Sequence, residues 1–199
     1  MLTPDQQINL YSTSLEFVAK TNEEATRISE AITGLRFSDP STICGPLTVA
    51  IYQSAGLLDP GFSPRRFFLL NPDLDQDRQI ISSAFPSDTH TDTRYRVKIN
   101  NFNWVENPLL PGDFVYLYAG SQGNFEHMLV VTRVDARGRA FSVTNYNTDT
   151  GFLIDEVMLY DALDPSAGIF AQWTRKEEQL LGSTGFAGFE VWRRKAPIP

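Results

Sequence analysis

The spacing of apolar positions changes along this chain, from helical threes and fours in the first third to alternation and short apolar runs in the last half. Thr3-Pro4-Asp5-Gln6 and Thr21-Asn22-Glu23-Glu24 both have the form of a capping box, so two helices are expected before Gly34. Leu47, Ala50, Ile51 and Ser54 follow at helical spacing, with Pro46 in the first turn and Gly56 as the stop. Strands are expected near 114–118, 128–134, 139–144 and 152–159, then a helix near 172–181 and a last strand near 186–193. Helices followed by antiparallel strands indicate an α+β fold, with the N-terminal helices packed on an antiparallel sheet.

A length of 199 residues favours one domain in three parts. Residues 1–58 are helical, 59–107 are an irregular insertion forming one cleft wall, and 108–199 are the β-sheet part. The insertion is rich in Pro, Asp and Asn, with a weak strand at Tyr95, Val97 and Ile99 and with Trp104 placed to line a cleft. A balance of 17 basic against 24 acidic side chains, net −7, argues against nucleic acid or an anionic membrane as partner. No run reaches membrane-spanning length and no basic or apolar signal segment opens Met1 to Gln7, so a cytoplasmic location is the default expectation. Nothing in the pattern specifies an oligomeric state.

The single cysteine, Cys44, opens the run Cys44-Gly45-Pro46-Leu47 at the start of a buried helix. A thiol there lies at the positive end of the helix dipole, which favours the thiolate. Such a cysteine becomes a nucleophile when a histidine and an Asn or Asp meet it in the fold. His90 lies in the polar stretch 87–93 and is expected in a solvated loop. His127 directly precedes the apolar run Met128-Leu129-Val130-Val131, at the mouth of a buried strand.

Asp135-Ala136-Arg137-Gly138-Arg139 has the form of a type I turn with Gly138 as the bulge, which sets Asp135 opposite Arg139. If that register continues, His127 faces Asn147, and Asn145 lies one diagonal step away on the same face. Either carboxamide could then orient the imidazole.

The order of Cys44 at a helix start, Gly112-Asp113-Phe114-Val115-Tyr116-Leu117-Tyr118, His127 on a strand and Asn145 on the next resembles the papain-like cysteine peptidase superfamily. The Cys-Gly-Pro helix is similar to that of bacteriocin-processing peptidases, and the Gly-Asp strand before a His strand is similar to bacterial CHAP-type amidases. The resemblance spans Cys44 to Asn147. It implies a papain-like fold with Cys44 as nucleophile, His127 as base and acid, and Asn145 as orienting group, Asn147 being the alternative. Ser38 stands where these enzymes place an oxyanion-binding Gln, which leaves Ser38, Ser41 and Thr42 as candidates for the second oxyanion donor.

The expected activity is a thiol hydrolase that cleaves a peptide, peptidoglycan or small amide bond through a Cys-His-Asn triad and a thioester acyl-enzyme. The alternative is a catalytically inactive papain-like binding or interaction module. No cofactor or metal is expected. Asp73-Leu74-Asp75-Gln76-Asp77 starts like a calcium loop, but Arg78 and Ala84 occupy positions that need Gly and Glu. Phosphate-cradling loops, dinucleotide fingerprints and the His-Glu-x-x-His motif are absent from the sequence.

Overall fold

The computed structural model describes residues 1–36, 42–120, 126–149, 151–181 and 186–196, with side chains of 176–181 excluded. Helix α1 spans Pro4–Ser14 and α2 spans Asn22–Thr33, and both start as the sequence specifies. Thr3 and Gln6 close a reciprocal capping box, whereas at α2 the Glu24 carboxylate accepts from Lys20 N–H, not from Thr21. Gly34 ends α2 in the left-handed region at φ 66°. Helix α3, Cys44–Ser54, is buried from Cys44 through Tyr52, which makes it the central helix of the fold.

The stretch 59–107 is not an irregular wall. It contains a short 3-10 helix at Pro64–Phe67, helix α4 at Asp75–Ala84 and strand β1 at His90–Tyr95. The expected strand at Tyr95, Val97 and Ile99 therefore lies five residues earlier, and His90 opens it instead of floating in a loop. The polar letters of β1 misled because the strand edges the sheet, where one face and one side stay wet. Phe67, Ile81 and Phe85 carry this segment into the core, with Phe85 stacked on Phe114 at 4.8 Å. Trp104 is buried as well, stacked on Tyr160 at 4.1 Å, so it fills core instead of lining a cleft.

Two antiparallel sheets follow. The first has the order β1-β7-β2-β3, with β2 at Phe114–Tyr118, β3 at His127–Val130 and β7 at Gly188–Arg194. The second has the order β4-β5-β6, with β4 at Arg133–Val134, β5 at Ala140–Thr148 and β6 at Gly151–Tyr160. Helix α5, Ile169–Leu181, packs on β6. The expected strand 128–134 is thus divided between the sheets, with the break at Val131 and Thr132.

Two apolar clusters fill the protein. Phe114, Tyr116, Met128, Val130, Val143 and Ile154 pack with α3 in one, whereas Val115, Leu117, Leu129, Val131, Trp173 and Phe189 form the other. Strand alternation makes this division, because successive residues of β2 and β3 point to opposite faces. The architecture is α+β, as the pattern of elements predicts. No helix among the described residues is long and apolar enough to cross a membrane.

Candidate active site

Cys44 takes the first position of α3, after Ile43, which offers no side-chain cap. The first-turn N–H groups of an uncapped helix have no intrahelical partner, so they are available to an anion. Gly45 is needed here. A Cβ at that position would overlap the Phe67 carbonyl oxygen and come 2.9 Å from Cε of Met128, so only glycine lets α3 lie this close to β3. The backbone N–H groups of Met128, Gly45 and Cys44 itself act on the thiol in the direction that favours the thiolate. Burial nevertheless dominates and pushes the thiol pKa up. The helix dipole favours the thiolate, but at 7 % exposure the loss of water outweighs it.

His127 is also buried, at 4 % exposure, and desolvation pulls its pKa down to about 3. The imidazole is therefore neutral near pH 7. Its Nε2 lies 2.8 Å from Oγ1 of Thr144, and its ring meets Trp173 edge-on at 4.8 Å. Met128 points toward the cluster that contains Cys44, while His127 leans on Trp173 of the second cluster. The thiol thus lies on the Met128 face of β3 and the imidazole on the other, next to each other along the strand but on opposite sides of it. No hydrogen bond joins the sulfur to the imidazole among the described residues.

The hairpin behaves as predicted only near its turn. Gly138 has φ 78°, its N–H reaches the Asp135 carbonyl, and Arg133 pairs with Phe141 and Val134 with Ala140. Before Thr132 the strand turns away and pairs with β2, with Leu117 opposite His127. The register that would set His127 against Asn147 is therefore not continued. Thr144, one residue before Asn145, reaches the ring instead.

Asn145 is buried at 1 % exposure and pairs with Ile154, a member of the Cys44 cluster. It therefore projects from the other face of β5 than Thr144 does. Asn147 is exposed and lines a cavity of about 410 Å³ together with Tyr146, Val157, Ile169, Gln172 and Trp173. Of the oxyanion candidates, Thr42 sits half-buried in a single 3-10 turn two residues before Cys44, while Ser38 and Ser41 lie outside the described residues.

Three residues near these groups escaped the sequence reading. Thr144 holds the imidazole, and Trp173 forms its side wall. Tyr116 lies opposite Met128 on β2, on the face that packs with Cys44. The alternating signal of Phe114-Val115-Tyr116-Leu117 was enough to place Tyr116 on the face of Phe114, but only the α3 contact shows which face meets the thiol.

No group of metal-ligating side chains occurs among the described residues. The acidic run after Asn71 is engaged otherwise: Asp73 pairs with Arg94, and Asp77 accepts from the Asn71 N–H at 2.8 Å.

Residues 81–169 match the model of the family described as "Putative amidase domain". The match covers less than half of the chain. It includes β2, β3 and β5, and with them His127, Thr144 and Asn145, but it begins after Cys44. At a coarse level this stretch is similar to domains that hydrolyse amides. No curated protein and no solved structure matches the chain.

Proposed function

We propose that this protein is a thiol hydrolase of amide or peptide bonds, with Cys44 as nucleophile and His127 as the proton acceptor. The observation that carries this reading is the meeting of an uncapped helix start, bearing the only cysteine, with the histidine strand of an amidase-like stretch. Nε2 of His127 lies 2.8 Å from Oγ1 of Thr144, a contact that holds the ring in place with either ring nitrogen carrying the proton. In this reading the imidazole swings past the His127–Met128 step to reach the thiol, and the Cys44 proton passes to it as sulfur bonds to the amide carbon. The tetrahedral intermediate then collapses, the C–N bond breaks, and the imidazolium returns the proton to the leaving amine. Water hydrolyses the thioester, with His127 again taking and returning a proton.

Burial of both groups supports a neutral thiol and imidazole pair in the resting protein, with charge created only during attack. Thr144 takes the orienting role that the resemblance gives to Asn145. Asn145 then serves the opposite face of β5, and Asn147 borders the 410 Å³ cavity where part of a substrate can lie. The experiment is turnover of a panel of N-acyl amino acid anilides and short peptides by the wild-type chain, Cys44→Ala and His127→Ala. Loss of all turnover in both variants is the expected result. Undiminished turnover by Cys44→Ala would remove the proposal.

A second reading, a non-catalytic binding module, is favoured by one observation: desolvation outweighs three backbone donors and keeps the thiol protonated. Its mark is a folded wild-type protein without turnover on the whole panel, whose thiol reacts only on unfolding.

A further inference from the structure

Tyr116 occupies the middle of β2, between Met128 on β3 and Glu190 on β7. Its side chain is fully buried in the cluster that includes Cys44 and Met128. The hydroxyl is buried too, and it has no partner in a well-formed hydrogen bond among the described residues. A buried, unmatched phenol costs about 1–3 kcal/mol in stability, and a phenylalanine would fill the same volume without that cost. Phe114, two residues earlier on the same face, does so. Tyr118, two residues later with its ring 4.7 Å from that of Tyr116, shows how a structural phenol is satisfied here, by donating to Glu190 at 2.6 Å.

Met128 gives the direction of the site. It is the cross-strand partner of Tyr116, it lies against the start of α3 at Gly45, and its backbone N–H acts on the Cys44 thiol in the direction of the thiolate. The phenol also lies within electrostatic range of Cys44 and of the Glu126 carboxylate. Burial, and after it the neighbouring Glu126 carboxylate through hydrogen bonding and charge, holds the phenol protonated. A buried, protonated O–H not engaged in a well-formed hydrogen bond is the kind of preorganised donor that an acyl oxygen needs as negative charge develops on it.

We propose that the Tyr116 hydroxyl is a catalytic hydrogen-bond donor of the Cys44 site, directed at the anion that forms there, first on the sulfur and then on the acyl oxygen. It fills the second-donor position beside the backbone N–H of Cys44. The turnover arm of its test rests on the amidase reading, whereas the thiol arm does not.

The test compares the wild-type chain, Tyr116→Phe and, as a control, Tyr118→Phe. Three quantities are measured: thermal stability, the ultraviolet titration of the thiolate read as the difference from Cys44→Ser, and kcat and KM on any amide substrate found. Tyr116→Phe is expected to melt at or above the wild-type temperature, to move thiolate formation to higher pH, and to lower kcat about 100-fold with KM little changed. Tyr118→Phe is expected to melt lower and to leave the thiol titration in place. If no substrate is turned over, the amidase reading fails while the thiol titration still decides this proposal. A wild-type thiol titration in Tyr116→Phe overturns it, as does a loss of stability or folding comparable to that of Tyr118→Phe, since the hydroxyl would then be structurally satisfied.

Discussion

Nε2 of His127 and Oγ1 of Thr144 lie 2.8 Å apart in a buried setting that joins an edge strand of one sheet to the middle strand of the other. β3 and β5 share no ladder, so this contact is a side-chain tie across the junction where the chain leaves β3 for β4. The tie holds the ring plane of His127 between the two sheets.

Thr144→Val keeps the shape of the side chain but leaves Nε2 of His127 buried without this partner. The expected loss is about 1–3 kcal/mol of stability in urea unfolding, the cost of an unmet buried polar group. Turnover is expected to fall by one to two orders of magnitude, about the effect of losing an orienting group. Asn147→Ala, at an exposed position, is expected to unfold within about 0.5 kcal/mol of wild type.

Burial holds His127 well below the ordinary imidazole range, at about 3. Between that value and the unfolded pKa near 6.5 the unfolded chain binds the extra proton, so the His127 contribution to stability is full above about pH 6.5 and is lost as pH falls toward 3. Urea unfolding of wild type is expected to weaken across this window by a few kcal/mol, and His127→Gln is expected to flatten the slope. An equal slope in both proteins would assign it to carboxylates.

The thiol carries the opposite sign at the other end of the scale. Cys44 ionises at higher pH in the folded chain than in the unfolded one, so folding stability is expected to drop as pH rises past the unfolded thiol value near 8.5. Iodoacetamide is expected to label the folded protein slowly at pH 7 and the unfolded chain rapidly. Fast labelling of the folded protein below pH 7 would show that the three backbone donors outweigh burial.

Gly45→Ala drives a methyl group into the Phe67 carbonyl and Met128. The expected cost is about 1–3 kcal/mol, the range for overpacking a closed core. Because the strain falls between α3 and β3, the thiol titration is expected to shift with it. Wild-type stability in this variant would mean that α3 has room to slide.

Glu190 is 2 % exposed and takes two 2.9 Å hydrogen bonds from Arg78 as well as the Tyr118 hydroxyl. Glu190→Ala strands the half-exposed Arg78 and the Tyr118 hydroxyl together. A loss of about 3 kcal/mol is expected by calorimetry, at the low end for breaking a buried pair, because water can still reach the guanidinium.

The sequence by itself determined the elements whose causes are local. Thr3, Thr21 and Gly34 set helix boundaries through their own side chains or their own φ, the Gly138 turn fixed its hairpin register for the residues beside it, and the Cys-Gly-Pro start of α3 followed from its first turn. The helix-then-strand order determined the α+β class for the same reason. What lay farther along the chain was decided by tertiary structure. β1 was concealed by its polar residues, because an edge strand owes its existence to pairing with β7, more than 90 residues away. The partner of His127 was missed by one residue. A register read from a turn holds only while both strands stay in one sheet, and here the chain changes sheets at Thr132 before His127 is reached. The protonation of Cys44 was decided the same way, since a helix dipole is a property of the local backbone, whereas desolvation is set by everything that folds over the thiol.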